Sequence, residues 1–227
     1  MKDVSFDLPE SAILGLIGPN GSGKSTLLNL IAGLEKPTSG IVKLDSKRID
    51  NLRANRVVGY GLAKTHQIPK PFSNMTAKEN VAVGVLYGRR KIHSQSLALQ
   101  EAERILSLVG MGSRKDSPAG SLTVQEKKRL ELARALATGA SVLLLDEVFA
   151  GLSAEELNDL IQLFRKLHEE LRFSALVVEH VMRAVLNLSH RVIVLEEGQV
   201  IATGSPDEVV HNDKVIQAYL GSKKSAA

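Results

Sequence analysis

The residues GPNGSGKST at 18–26 carry the most specific chemistry in this sequence. They match G-x-x-x-x-G-K-[ST] and stand between a strand-like and a helix-like run. Glycines let backbone N–H groups curl around an anion that a Cβ would block. The helix that follows turns its positive end toward the same anion. Asn20, Gly21, Ser22, Gly23, Lys24, Ser25 and Thr26 are therefore the candidate phosphate ligands. Lys24 would reach the β- and γ-phosphates, and Ser25 would give its hydroxyl to Mg²⁺. The expected ligands are ATP and Mg²⁺.

LLLDE at 143–147 supplies the complementary half. A buried strand ending in Asp146-Glu147 puts two carboxylates at the carboxyl edge of a sheet, where α/β proteins bind ligands. Acids commonly follow buried strands, and the phosphate loop upstream is what makes these functional candidates. Asp146 would hold Mg²⁺ through water, and Glu147 would orient or deprotonate the attacking water.

The elements needed to position these groups alternate between strand-like and helix-like, which predicts an α/β fold with a mainly parallel sheet. Strands are expected at 12–17, 41–44, 57–60, 142–145, 176–178 and 192–195, and MKDVSFDLPES at the start also alternates like a strand. Helices are expected at 24–32 and 97–109, and after Thr76-x-x-Glu79, Thr123-x-x-Glu126 and Ser153-x-x-Glu156. Residues 110–121 read as a loop, Glu197-Gly198 as a hairpin turn, and the tail from Ser205 as two short helices. Residues 72–138 are helical in character, which predicts a helical lobe inserted into an α/β core made of 1–71 and 139–227.

Composition agrees with one sizeable domain. The chain has 227 residues, 44% hydrophobic and 24% charged, with a formal charge of +4 and no cysteine. A disulfide frame and a thiolate metal site are excluded, and the scattered basic residues make no case for nucleic acid. No signal peptide is legible, and no apolar run is long enough to cross a bilayer. The expectation is a cytoplasmic protein that reaches a membrane only by docking to something else.

The glycine loop, the helical insert and the strand ending in Asp-Glu together resemble the ATP-binding subunits of ABC transporters. GLIGPNGSGKSTLLNLIAGLEKPTSG, DEVFAGLS, VVEHVM and RVIVLEEGQVIATGSPDEVV are similar to the branch that serves branched-chain amino acid importers. The resemblance covers about residues 4–221 and implies a P-loop NTPase core with an inserted α-helical subdomain. The lipopolysaccharide-export ATPases are near neighbours. It implies that Gln67, in KTHQIPKPF, is the Q-loop glutamine, touching Mg²⁺ and sensing the membrane subunit. It implies that His180 is the switch histidine that bonds the γ-phosphate, and that 150–153 cross to an opposing subunit. Ser153 stands there where the family usually has an acid or Asn. The resemblance implies a place in the cytoplasm, peripheral on the inner face of the cell membrane, with transmembrane permease subunits, a second ATPase subunit (the same or a different chain) and, indirectly, a periplasmic or extracellular solute-binding protein as partners.

Two departures accompany the resemblance. LTVQE at 122–126 occupies the place of the signature Leu-Ser-Gly-Gly-Gln. Thr123 keeps a hydroxyl, but Val124 and Gln125 add side chains where backbone must approach a phosphate closely. Either the variant pocket works, or the chain pairs with a different ATPase. A regulatory cassette that does not turn over is the alternative from another class, and a soluble ABC protein of repair or translation is a further one. The second departure is at the front, where family members have an aromatic residue that stacks on adenine. Phe6 falls too late to be that residue, so weakened ATP binding, or a shortened start, is expected.

Overall fold

The strand segments ILGLI, VLLLD and SALVV are apolar almost throughout, so both faces of their sheet have to be covered. The computed structural model, which describes residues 1–220, shows how. Its main sheet has the order β4 (Leu62–Lys64), β5 (Val142–Asp146), β6 (Ser174–Val178), β1 (Ile13–Ile17), β7 (Arg191–Glu196) and β8 (Gln199–Gly204). The first five are parallel, and β8 returns antiparallel to β7 through Glu197-Gly198, both at positive φ. β2 (Lys43–Leu44) and β3 (Lys47–Arg48) form a separate small hairpin.

Side chains alternate between the two faces. Leu143, Leu145, Ala175 and Val177 pack into one core, while Leu14, Leu16, Leu144, Leu176 and Val178 pack into the other. The second core is closed by α1 (Lys24–Ile31) and α2 (Ala54–Tyr60) through Leu27, Leu28 and Val57. The first is closed by α3 (Ala77–Tyr87), α4 (Gln95–Leu108), α5 (Val124–Ala137), α6 (Ala154–Leu171) and α7 (Met182–Leu188). Between β4 and β5 in the chain, α3, α4 and α5 pack on one another. Two short helices, α8 (Pro206–Val210) and α9 (Asp213–Leu220), finish the described residues, and Gly221 and the rest of the tail lie outside them.

Helix starts are fixed locally. Thr76, Thr123, Ser153 and Ser205 each accept the N–H three residues on, and the Glu at that position accepts the cap residue's own N–H. The stripe Leu157, Leu160, Ile161, Phe164 and Leu167 of α6 is buried as its spacing predicts.

Three expectations need correction. Residues 57–60 belong to helix α2, not to a strand: only Val57 is fully buried, and Gly61 at φ 106° stops the helix before β4 begins. Two valines and a tyrosine suit a strand by propensity, but one buried contact in four residues is a helical pattern. The strand expected at 41–44 shortens to Lys43–Leu44. The alternating start, 1–11, joins no strand ladder; Val4, Phe6 and Leu8 pack half-buried on the second core, and Asp3 and Ser11 take positive φ. The loop at 110–121 holds two short 3₁₀ turns, Gly112–Arg114 and Ala119–Ser121.

Phe164 is 1% exposed and sits edge-to-face with Phe149 and Phe173, at centroid distances of 5.8 and 5.5 Å. Phe164→Ala should cost about 3–5 kcal/mol. Urea denaturation checks this, and a loss of only about 0.5 kcal/mol, the range of surface substitutions, would mean the aromatic trio is not part of the core.

Candidate functional site

Parallel strands all end at one edge, so the segments after β1, β4, β5 and β6 meet there. Leu16 and Asp146 are both level with Val178 in the sheet register. Gly18, Thr65–Gln67, Glu147 and Glu179-His180 follow directly.

The phosphate loop is built by close approach. A Cβ on Gly18 would lie 2.1 Å from the Leu195 carbonyl oxygen, and Gly21 and Gly23 take φ of 81° and 101°. Gly23 starts α1, which has no side-chain cap and no acid in its first turn, so its positive end is left for a ligand. Lys24 is buried, and its Nζ donates to the carbonyls of Gly18 (2.8 Å) and Pro19 (3.0 Å). Burial lowers its pKa, opposed by the charges of Glu147 and Asp146. Among the described residues the buried Ser22 hydroxyl has no partner. A cradle that a Cβ would fill, an orphaned hydroxyl and a dry cation fit a phosphate chain. Asn20, Ser25 and Thr26 stand in the same loop and first turn.

Three predicted residues from separate segments converge on one oxygen. Gln67 Nε2 donates to Glu147 Oε2 at 2.6 Å, and His180 Nδ1 lies 3.7 Å from that same oxygen. Glu147 takes φ 51°, a region that costs energy for any residue but glycine and is held by its neighbours. Its N–H continues the ladder to the Val178 carbonyl, 2.9 Å away. The nearby buried Asp146 offers a carboxylate, and Ser25 offers a hydroxyl. Among the described residues no three His, Cys, Asp or Glu cluster as a metal cage. Two oxygen donors suit Mg²⁺, which is usually held by few protein groups together with phosphate oxygens.

Several site partners escaped the sequence reading. Lys64 Nζ pairs with Asp146 Oδ2 at 3.1 Å, both largely buried, and the Thr65 hydroxyl accepts the Asp146 N–H at 3.1 Å. A lysine closing a short buried strand was the only signal for the first. Lys128 of α5 is 5% exposed and donates to the carbonyls of Glu147 (3.2 Å) and Val148 (2.9 Å). Glu179, 1% exposed, accepts the Phe149 N–H at 2.7 Å with one oxygen, and among the described residues no side-chain or backbone group stands in hydrogen-bonding geometry at the other. Burial pushes its pKa up to about 7, against the Phe149 N–H and the charge of Lys128; the charge of Glu147 adds to the rise.

The segment 122–126 lies apart from this group. Thr123 caps α5, with its hydroxyl accepting the Glu126 N–H (3.2 Å) and its own N–H donating to Glu126 Oε2 (2.8 Å). Arg114 pairs with the other Glu126 oxygen at 2.9 Å. Burial pushes the Glu126 carboxyl up, but the Thr123 N–H and Arg114 outweigh it and hold it below the usual range. Val124 is 60% exposed, and Gln125 follows it on the first turn. Among the described residues no hydrogen bond ties Thr123, Val124 or Gln125 to Lys24, Asp146, Glu147 or His180.

Comparison with known proteins places the fold and the sequence in a family. Residues 1–150 match the model of the ABC transporter family, and 199–224 match that of the branched-chain amino acid ATP-binding cassette transporters. The chain is 34% identical to the high-affinity branched-chain amino acid transport ATP-binding protein LivG of Salmonella typhimurium, over 97% of this chain and 91% of that one. A nucleotide-free ATP-binding cassette from an ABC transporter superposes with a TM-score of 0.86 at 30% identity, covering 96% and 91% of the two chains. A dimeric cassette in a post-hydrolysis state, bound to ADP and Pi, superposes with 0.81 at 27% identity, covering 91% and 90%.

The buried Glu179 gives a pH test. Unfolded, it loses its proton near 4.5; folded, it keeps it to about 7. Between those values the folded state holds the extra proton, so stability falls as pH rises, by at most about 3 kcal/mol. Glu179→Gln should remove that slope. Urea denaturation of both proteins from pH 5 to 8 checks it, and parallel curves would mean Glu179 is ionised throughout.

Proposed function

Because the chain belongs to the ABC transporter family, as one of its ATP-hydrolysing cassettes, we propose that it binds ATP at Gly18–Thr26 and hydrolyses it to drive a branched-chain amino acid importer or one for related polar solutes. The observation that carries the site assignment is the convergence of Gln67, Glu147 and His180 on one carboxylate oxygen beside a dry lysine.

Each side chain has a role in this reading. Lys24 turns from the Gly18 and Pro19 carbonyls to the β- and γ-phosphates. Ser25, Gln67 and Asp146 would hold Mg²⁺, partly through water, and the cation would neutralise charge on the phosphates. Glu147 orients the attacking water and takes its proton. His180 donates to the γ-phosphate, its ring oriented by Glu147. Lys64 keeps Asp146 in place until phosphates arrive. Residues 1–71 and 139–227 act as the nucleotide-binding core and 72–138 as a helical subdomain.

A cassette of this kind closes its site with a second cassette, whose helix start meets the γ-phosphate. Here that helix start already holds the Glu126 carboxylate, which neutralises the N-terminal end of α5 and repels a phosphate. This favours a partner ATPase of different sequence over two copies of this chain. Among the described residues no helix is long and apolar enough to cross a membrane. By its likeness to importer cassettes, the chain works through permease subunits, at the cytoplasmic face. A groove of about 240 Å³ lined by His66, Gly84, Tyr87 and Glu131, with Ile68, Phe72 and Tyr87 exposed nearby, supports that docking. The solute-binding protein acts indirectly, through the permease. The branch assignment rests on the similarity of the whole chain and on the match at its C-terminal end.

Two measurements test the reading. Lys24→Ala should abolish ATP binding, whereas Glu147→Gln should bind ATP without turning it over; rapid hydrolysis by Glu147→Gln would remove Glu147 from its role. The solution mass of Glu147→Gln should stay that of a monomer with ATP bound. An ATP-dependent dimer would instead make Thr123-Val124-Gln125 a working signature. Replacing Val124 and Gln125 together by glycine should strengthen ATP-dependent self-association, read by the same mass measurement. No gain would put the obstacle in Glu126 alone.

A further inference from the structure

Helix α5 carries Lys128, Glu131 and Arg134 at i, i+3 and i+6, on one face. That face is turned inward: Lys128 and Glu131 are 5% and 6% exposed. Buried charges are retained only when hydrogen-bonded, and a buried apolar face would be the less costly alternative. What these charges hold is the backbone of the two segments that bear Gln67 and Glu147.

Lys128 Nζ donates to the carbonyl of Glu147 itself and to that of Val148. Glu131 Oε1 accepts the N–H of His66, the residue before Gln67, at 3.2 Å, and lies 3.2 Å from His66 Nδ1. Glu131 Oε2 accepts from Arg134 at 2.7 Å, and Arg134 also donates to the Lys70 carbonyl and covers the Phe72 ring at 5.4 Å. One helix face thus grips the chain at 66–72 and at 147–148, two segments 80 residues apart whose side chains meet at 2.6 Å. Neither Lys128 nor Glu131 touches the reacting atoms in this arrangement.

We infer that Lys128 and Glu131 are positioning residues for ATP hydrolysis, holding Glu147 and Gln67 in register by anchoring both backbone segments to α5. The inference rests on the proposed roles of Gln67 and Glu147. Its consequence is directional. Loss of Glu131 acts through Gln67, whereas loss of Lys128 acts through Glu147.

The test uses the full-length protein with Glu131→Gln, Lys128→Met, Lys128→Arg and Gln67→Ala, singly and with Gln67→Ala as background. Steady-state hydrolysis is read with the partner ATPase and permease subunits added to complete the site, and amide hydrogen exchange is read on the same variants alone. Glu131→Gln should lower kcat about ten- to a hundredfold, as a small misplacement of a reacting group does, with KM for ATP changed less than about twofold. Exchange at 66–70 should quicken about tenfold, while 146–149 stays protected. In the Gln67→Ala background the kcat effect of Glu131→Gln should vanish and that of Lys128→Met should persist. Lys128→Arg, which keeps the donors, should recover most of the Lys128→Met loss. Unchanged exchange at 66–70 in Glu131→Gln, or an equal kcat loss with and without Gln67, overturns the inference. If the unmodified protein does not bind ATP, the functional reading fails, and the exchange pattern alone still decides whether α5 anchors these segments.

Discussion

An ammonium group kept dry under a glycine loop sets the terms for the rest of this molecule. Among the described residues Lys24 has only two backbone carbonyls as hydrogen-bond partners, and burial lowers its pKa. Its charge is sustained by the fields of Glu147 and Asp146 across the sheet edge. Those carboxylates need compensation in turn, which Lys64 gives to Asp146 at 3.1 Å and Gln67 to Glu147 at 2.6 Å. A buried charge without a partner is far more costly than one in a network. The alternation of Lys24, Asp146, Lys64 and Glu147 is therefore an energetic requirement as well as a catalytic layout. The neutralising upward shift of Glu179 fits the same rule, since it sits beside Glu147 with one oxygen unpartnered among the described residues.

What was legible in the sequence was local. The capping boxes at Thr76, Thr123, Ser153 and Ser205 involve partners three residues apart, and the stripe of α6 follows from helical periodicity. The glycine loop was legible because its chemistry is written in consecutive residues. Residues 57–60 differ from their strand expectation because Val57, Val58 and Tyr60 favour a strand, while burial of Val57 alone among them, in the core with Leu27, Leu28 and Leu62, goes with a helix. The strand-like start was misread for a related reason. Its alternation does bury Val4, Phe6 and Leu8, but alternation specifies a face and not a hydrogen-bonded neighbour. The ties of Lys64 to Asp146 and of Lys128 to Glu147 span 82 and 19 residues, and no spacing rule reaches that far.

The segment Leu122–Glu126 was legible in a different sense, as two readings that compete. A helix start can be satisfied from within or can wait for a ligand. α1 waits: it has no side-chain cap and no acid in its first turn. α5 does not wait, because Thr123 and Glu126 satisfy each other and Arg114 fixes the carboxylate. A capping interaction contributes about 1 kcal/mol to the folded chain, and the same carboxylate opposes an incoming phosphate. The two helix starts thus differ in the property that governs phosphate binding.

α5 joins both halves of this argument. Its first turn is the self-satisfied start, and its next two turns carry the buried face that holds the backbone at Glu147 and at His66. In the proposed assembly one end of this helix faces the partner while its middle is fixed to the segments bearing Gln67 and Glu147, and it cannot shift at one place alone, because packed interiors move as units. Any partner that engages residues 123–125 therefore acts on the geometry of Gln67 against Glu147 through a single rigid element. On the proposed roles, the hydrolytic register and the contact face are set by the same fourteen-residue helix, so a change in the helix start that altered its seating would alter turnover as well as assembly.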